Sequence, residues 1–373
     1  MTALYRDSAP VVGTPAPSSA ESTAVVIDDQ PRRLSQRSLD DTFSLAGALL
    51  ASLSLTWLLY FLVLPFSGTV GFVVCWWVVF MATYAGVIAL GNPLPVVKDR
   101  VVAAAIASAA GLVGLAVLSV VIYTVIRGHN AIAHPNFFTQ SSSEAPQAPF
   151  NQGGIWNAIV GSFVQIGLAV VMSLPLGVLT AVFMTEVGGW FARIVRTVVE
   201  AMTAIPDLLA GLFVYVTLIL YLHEPKNGLC VSVALAVTMT PIIARSAEVA
   251  LRVVPGGLRE AGLALGASQW ETVRQIVVPT ALPGLTTALI LAVARAVGES
   301  APLIIVSGAS GFFTANPFNN KPMNSLPLYI YIGLRSGQNA QIARAFAAAI
   351  VLLAVVFVLF AAARLVSRQR VAR

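Results

Sequence analysis

Charge is what this sequence has least of. Asp, Glu, Lys and Arg make up 10% of its 373 residues, while 57% are hydrophobic and the mean hydropathy is +0.84. An ordinary soluble domain carries about 25% charged residues, so a water-soluble globular protein is excluded and an all-α polytopic membrane protein is expected. Lysine is scarcer still, with only Lys98, Lys226 and Lys321. The balance of 22 Lys and Arg against 16 Asp and Glu leaves a net charge of +6. The arginines are nevertheless scattered between apolar blocks and form no basic stripe of the kind nucleic acid requires. The two cysteines, Cys75 and Cys230, both lie in apolar runs. They are too few for a disulfide framework and read as small buried thiols. The three histidines, His129, His134 and His223, lack metal-ligand spacing, so no metal site is expected. No lysine follows a glycine-rich turn, and neither a Gly-x-Ser-x-Gly elbow nor a His-Glu-x-x-His pair occurs. The chain is therefore not expected to be an enzyme or to bind a nucleotide cofactor itself.

What is abundant is apolar sequence in span-sized blocks. Residues 1–41 come first, rich in Ser, Pro, Ala and acids without an apolar run, and are expected to be a disordered cytoplasmic tail. Eight runs then approach the length of a membrane helix: Phe43–Phe66, Gly68–Leu90, Val101–Ile126, Ile155–Phe183, Ile205–Leu222, Leu229–Ile243, Leu285–Val306 and Ala345–Val366. The sixth is short and should borrow residues on its cytoplasmic side. Placing the N-terminus inside leaves Arg127, Lys226, Lys321, Arg335 and Arg344 outside and Arg295 within a span, with the other sixteen positive residues at or near the cytoplasmic face. That asymmetry predicts both termini inside and an even number of spans. The outside segments Arg127–Gly154 and Ser307–Gln341, rich in Ser, Pro, Gly and Asn, read as irregular loops.

One inside segment, 247–282, is charged yet keeps helical apolar spacing. Its stretch Leu258–Pro279 reads as a helix, a glycine turn at Gly266 and a second helix stopping before Pro279. Leu263, Leu265, Trp270, Val273 and Ile276 can share an apolar face, with Glu260, Glu271 and Arg274 left for polar contacts. Such a knob suits either a hairpin on the lipid headgroups or a docking surface for a soluble partner.

Arg295 is the charge that topology does not explain. At mid-span an arginine costs about 2.5–3.5 kcal/mol on insertion scales. Glu299 lies four residues on, which on a helix places both side chains on one face about 6 Å apart along the axis. Gly298 leaves room beside them. The pair fits a fixed helix interface as well as a substrate route. Arg245, at the inner end of the sixth span, fits a snorkelling arginine or an inner exit. Asp207, after Pro206, reads as a helix-start acid.

The inside segment resembles the EAA loop of ABC-importer permeases: Glu-Ala-Ala, three residues, Gly, nine residues, Ile, one residue, Leu-Pro. Glu260, Ala261, Gly266, Ile276 and Pro279 match, and Gly262 and Val278 depart where Ala and Leu are expected. The run Arg295-Ala296-Val297-Gly298-Glu299-Ser300-Ala301-Pro302 resembles the PstA family, permease subunits of phosphate importers, as do Gly211–Tyr215 and Pro241–Ser246. The likeness covers about residues 101–373. It implies an ABC importer type I permease fold with a six-helix core in 98–373, preceded by two additional transmembrane helices in 42–97. It further implies a phosphate route lined by Arg295, Glu299 and Arg245, and coupling to ATPase subunits through Glu260, Ala261, Gly262, Gly266, Ile276 and Pro279. The implied partners are a second, PstC-like permease subunit, two copies of a PstB-like ATP-binding subunit and an external PstS-like phosphate-binding protein. ATP and magnesium would then sit on the ATPase partner. The implied location is a prokaryotic plasma membrane. An importer subunit for another oxyanion, molybdate or sulfate, would keep the coupling loop without the Arg295–Pro302 run. A membrane enzyme or sensory scaffold would need a catalytic constellation or an output domain that is not visible.

Overall fold

The computed structural model describes residues 39–63, 68–142, 149–308 and 310–371, and these are helical with no β-strand among them. Most of the expected N-terminal tail lies outside the described residues, and the first helix opens at Leu39. The chain divides into two units, residues 1–113 and 114–373.

The first unit holds α1 (Leu39–Leu58), a π turn (Leu59–Val63), α2 (Thr69–Ala89) and the beginning of α3, which runs Leu94–Ile132. Ala48, Phe80, Tyr84, Ile88 and Val97 form its small core. Two of its polar side chains find partners inside the unit: Trp76 Nε1 donates to Ser52 Oγ at 3.1 Å and Tyr60 to the Gly68 carbonyl at 2.8 Å.

The second unit continues through α4 (Asn136–Thr139), α5 (Trp156–Val182) with a π turn (Phe183–Val187), α6 (Gly189–Ala204) and α7 (Asp207–Val214) with a π turn (Tyr215–Tyr221). It then runs through α8 (Gly228–Arg252), α9 (Gly256–Ala264), α10 (Gln269–Thr272), a π turn (Val273–Val277) and α11 (Val278–Val297). α12 (Ala301–Val306), α13 (Leu326–Leu334) and α14 (Asn339–Val371) complete it. α8 is its axis. Ala234, Ala244 and Ala247 on that helix are buried, and small residues let neighbouring backbones close in. The main core gathers Val231, Leu235, Met239 and Ile243 of α8 with Ala169, Val214, Ala292 and Leu303.

Among the described residues, seven helices are long and apolar enough to cross a membrane, or eight if the bent pair α6 and α7 with its π turn counts as one. Two of the expected spans and one outer segment differ from these, and the sixth span behaves as expected. The stretch 205–222 is no independent span: α7 and its π turn follow α6 across a 100° bend. Ile205, held extended by the proline after it, makes that break. The sixth span does extend inward, as α8 to Arg252. The seventh begins at Gln269 and ends at Val297, so the second helix of the Leu258–Pro279 segment runs on through Pro279 instead of stopping. The π turn Val273–Val277 widens the helix just before that proline, which sits in the first turn of α11 where a missing N–H costs little. Lastly, the outer segment expected to be irregular contains the α13 helix, buried along Leu326–Tyr329.

Candidate functional site

α11 ends at Val297 with Gly298 as its cap, and the chain is non-helical until Ala301. Arg295 lies in the last turn, and Glu299 lies in the break, still within reach. Arg295 Nε is 3.1 Å from Glu299 Oε1, so the pair expected from spacing forms. Glu299 is largely shielded, with its side chain 10% exposed, and its second oxygen accepts from Thr238 Oγ1 of α8 at 3.3 Å.

A second carboxylate joins that sequence spacing did not place there. Asp207 opens α7, but its side chain makes no cap hydrogen bond, and the cap position belongs to Pro206. Instead Asp207 Oδ2 lies 3.2 Å from Arg295 Nη2. The reading of Asp207 as a helix cap is therefore replaced by an ion pair with Arg295. The guanidinium faces two carboxylates from two elements, which offsets the cost of a charge at this depth.

Arg295 and Asp207 line a cavity of about 740 Å³, together with Thr238, Met202 and Phe213. Arg245 lines the same cavity. Two of the expected pathway residues thus share one space, and the third, Glu299, pairs with Arg295 at its edge. Gly298 stands in the open, since a Cβ there would meet nothing nearer than the Arg295 carbonyl at 3.7 Å.

Arg245 is itself held by carboxylates. Its Nη1 lies 2.9 Å from Glu200 Oε1 of α6 and 3.3 Å from Glu248 Oε2, one turn on in α8. Glu248 is 2% exposed and also accepts from Arg196 Nε at 2.8 Å and Arg252 Nη2 at 2.6 Å. Three arginines on one buried carboxylate form a tight charge knot. The i+3 and i−4 spacings of Glu248 from Arg245 and Arg252 are readable from the sequence. Arg196, 52 residues away, carries no such signal.

The Leu258–Pro279 segment folds as a helix, a glycine turn and a helix. Gly266 takes φ +84°, the left-handed region that suits glycine. Ser268 and Glu271 form a reciprocal capping box at the start of α10. Gly262 sits where the two helices cross: a Cβ there would be 2.8 Å from Ile276 Cδ1 and 3.0 Å from Thr272 Oγ1. Gly262 and Ile276 thus meet, which accounts for glycine in place of alanine. Glu260 and Ala261 face outward. The expected shared apolar face is split: Val273 turns inward, whereas Leu263, Leu265 and Trp270 are exposed.

Comparison with known proteins places this architecture. Residues 173–371 match the family described as binding-protein-dependent transport system inner membrane component. The phosphate transport system permease protein PstA 1 of Mycobacterium tuberculosis is 36% identical over 243 residues, 65% of this chain and 78% of that protein. A PstA of Haemophilus influenzae is 36% identical over 222 residues, 59% of this chain and 76% of the relative. Among solved structures, a bacterial alginate ABC transporter in complex with its pentasaccharide-bound periplasmic protein superimposes with a TM-score of 0.56. At 16% identity over 73% of this chain and 95% of that one, it establishes the fold.

Proposed function

This chain belongs to the family of binding-protein-dependent transport system inner membrane components, and we propose that it is the permease subunit of an ATP-driven importer whose cargo is phosphate. It is a multi-pass inner-membrane protein, a transporter subunit and not a catalytic enzyme. The observation that carries the proposal is Arg295, bracketed by Asp207 and Glu299 on the wall of a cavity it shares with Arg245.

The chemistry follows from exchange of partners. A guanidinium offers paired donors that match an oxyanion, so phosphate in the cavity would take the place of a carboxylate on Arg295. The displaced carboxylate would remain within reach of the P–OH of hydrogen phosphate and accept from it. Sulfate and molybdate, fully deprotonated, bring no such donor and would meet bare repulsion. When the anion leaves, Asp207 and Glu299 re-form their pairs, so Arg295 never becomes a trap or an unpaired charge in the membrane. Arg245, poised between the cavity and the Glu248 knot, would receive the anion on its inward course.

The energy would come from partners. Glu260, Ala261, Gly262, Gly266, Ile276 and Pro279 would place α9 and α10 against ATPase subunits that hold ATP and magnesium, with both termini of this chain cytoplasmic. A second, PstC-like permease would complete the pathway, two PstB-like subunits would drive it, and a PstS-like protein would deliver phosphate from outside. Residues 98–373 would form the permease domain proper, with the helices of 42–97 additional to it.

Phosphate uptake by vesicles carrying the whole complex tests the reading. Arg295→Gln should abolish uptake while leaving assembly normal. Full uptake by that variant would end the pathway assignment, and a complex whose ATPase responds to loaded sulfate- or molybdate-binding protein instead would reassign the cargo.

A further inference from the structure

Both coupling helices bond to one residue at the end of α5. Arg259 of α9 reaches Glu186 in the π turn that ends α5, with Nε 3.2 Å from Oε2 and Nη2 2.9 Å from Oε1. The same guanidinium donates to the Val254 carbonyl at 2.7 Å and the Leu251 carbonyl at 3.0 Å, groups left without helical partners where α8 ends. Gln269, which opens α10, donates from Nε2 to the main-chain carbonyl of Glu186 at 2.6 Å. Both coupling helices therefore converge on Glu186. Beside these bonds lies a cavity of about 760 Å³ bordered by Met184, Leu263 and Thr272, next to the buried cluster of Ala181, Leu251, Val254 and Val277.

Beyond Glu186 the chain turns at Gly188 and Gly189, with φ +66° and +80°, and enters α6. α6 carries Arg196, bonded to Glu248, then Glu200, bonded to Arg245, and then Met202 and Thr203, which line the 740 Å³ cavity. A contiguous line of bonds and one helix thus runs from the coupling helices to the cavity wall.

We propose that Glu186 is a positioning residue that transmits coupling-helix movement to α6 and Arg245. Apolar contact adheres without fixing direction, whereas a bidentate ion pair also fixes orientation, so this joint holds α9 in register with the end of α5 on the return stroke as well as the power stroke. The proposal rests on the reading of α9 and α10 as the ATPase contact.

The test uses the whole complex in proteoliposomes, with phosphate uptake and ATP hydrolysis measured together. Glu186→Gln keeps an acceptor oxygen but loses the charge, and should lower the phosphate carried per ATP hydrolysed about fivefold. Glu186→Ala should lower it tenfold or more, with hydrolysis persisting. An unchanged ratio in the assembled Glu186→Ala complex, even at reduced overall rates, overturns the joint. If Glu186→Ala does not assemble, Gln269→Ala, which removes one bond to Glu186, decides in its place: a lowered ratio supports the joint and an unchanged ratio refutes it. Failure of the underlying reading shows separately. A cysteine at the exposed position 260 (Glu260→Cys) should cross-link to the ATPase subunit in a complex otherwise unaltered, and absence of that cross-link removes the ATPase contact whatever the ratio.

Discussion

Gly211 offers the sharpest perturbation of the cavity, because it acts on geometry without touching any charged group. It lies on α7 one turn after Asp207, where α7 crosses the start of α12. A Cβ at this position would be 2.6 Å from Pro302 Cα and 3.1 Å from the Pro302 carbonyl oxygen. Those atoms belong to backbone and cannot swing aside. Carbon atoms rest at about 3.5–4.0 Å, so Gly211→Ala must push the two helices about 1 Å apart. Asp207 rides on one of them, and Glu299 immediately precedes the other. The same displacement applied to Asp207 and Arg295 would stretch their 3.2 Å contact to about 4.2 Å, beyond hydrogen-bonding range. Losing a hydrogen bond to a charged group costs about 1.5–3 kcal/mol, and about 1.4 kcal/mol is a factor of ten. The initial rate of phosphate uptake, normalised to assembled complex, should therefore fall about tenfold in Gly211→Ala. Uptake within twofold of wild type, with a normal yield of complex, would refute the claim that close approach of α7 and α12 sets the Asp207–Arg295 pair.

Two further substitutions separate stability from coupling. Glu248→Gln removes the charge that three arginines share, and loss of one partner from a buried ionic cluster costs about 3–5 kcal/mol. The detergent-solubilised complex should melt several degrees lower by intrinsic fluorescence, and an unchanged midpoint would show that the knot contributes nothing. Gly266→Ala forces a left-handed turn on a residue with a Cβ, at about 1–2 kcal/mol. It should leave the amount of complex near normal while uptake falls relative to ATP hydrolysis, and parallel loss of both activities would contradict it.

What the sequence revealed about this fold tracks how local each interaction is. Hydropathy found the blocks that become α1, α2, α3, α5, α8 and α14, because a run of apolar residues reports directly on a lipid-facing helix. It began a block at Ile205, at the bend itself, and left out α6, whose Arg193, Arg196 and Glu200 lower the average. It passed over α13, whose nine residues are too few for a span. Arg295 and Glu299 were legible as a pair, being four residues apart, although Glu299 lies just past the end of α11. Asp207 was not, because its partner lies 88 residues away. Arg259 stood in plain view beside the coupling motif, yet nothing local announces Glu186, 73 residues earlier.

Four residues already met separately, Thr238, Arg245, Glu248 and Arg252, all lie on α8 at intervals of seven, three and four. Those intervals keep them on one stripe about 21 Å long at 1.5 Å per residue. The stripe makes α8 intolerant of changes in length. One inserted residue between Thr238 and Arg245 would rotate everything below it by about 100°. Arg245 would leave the cavity and Glu200, and Glu248 would lose Arg196 of α6, though every residue was still present. Lineages descended from this protein can be expected to vary the outer loops in length, while within this stretch of α8 evolution is confined to exchanging side chains at a fixed count.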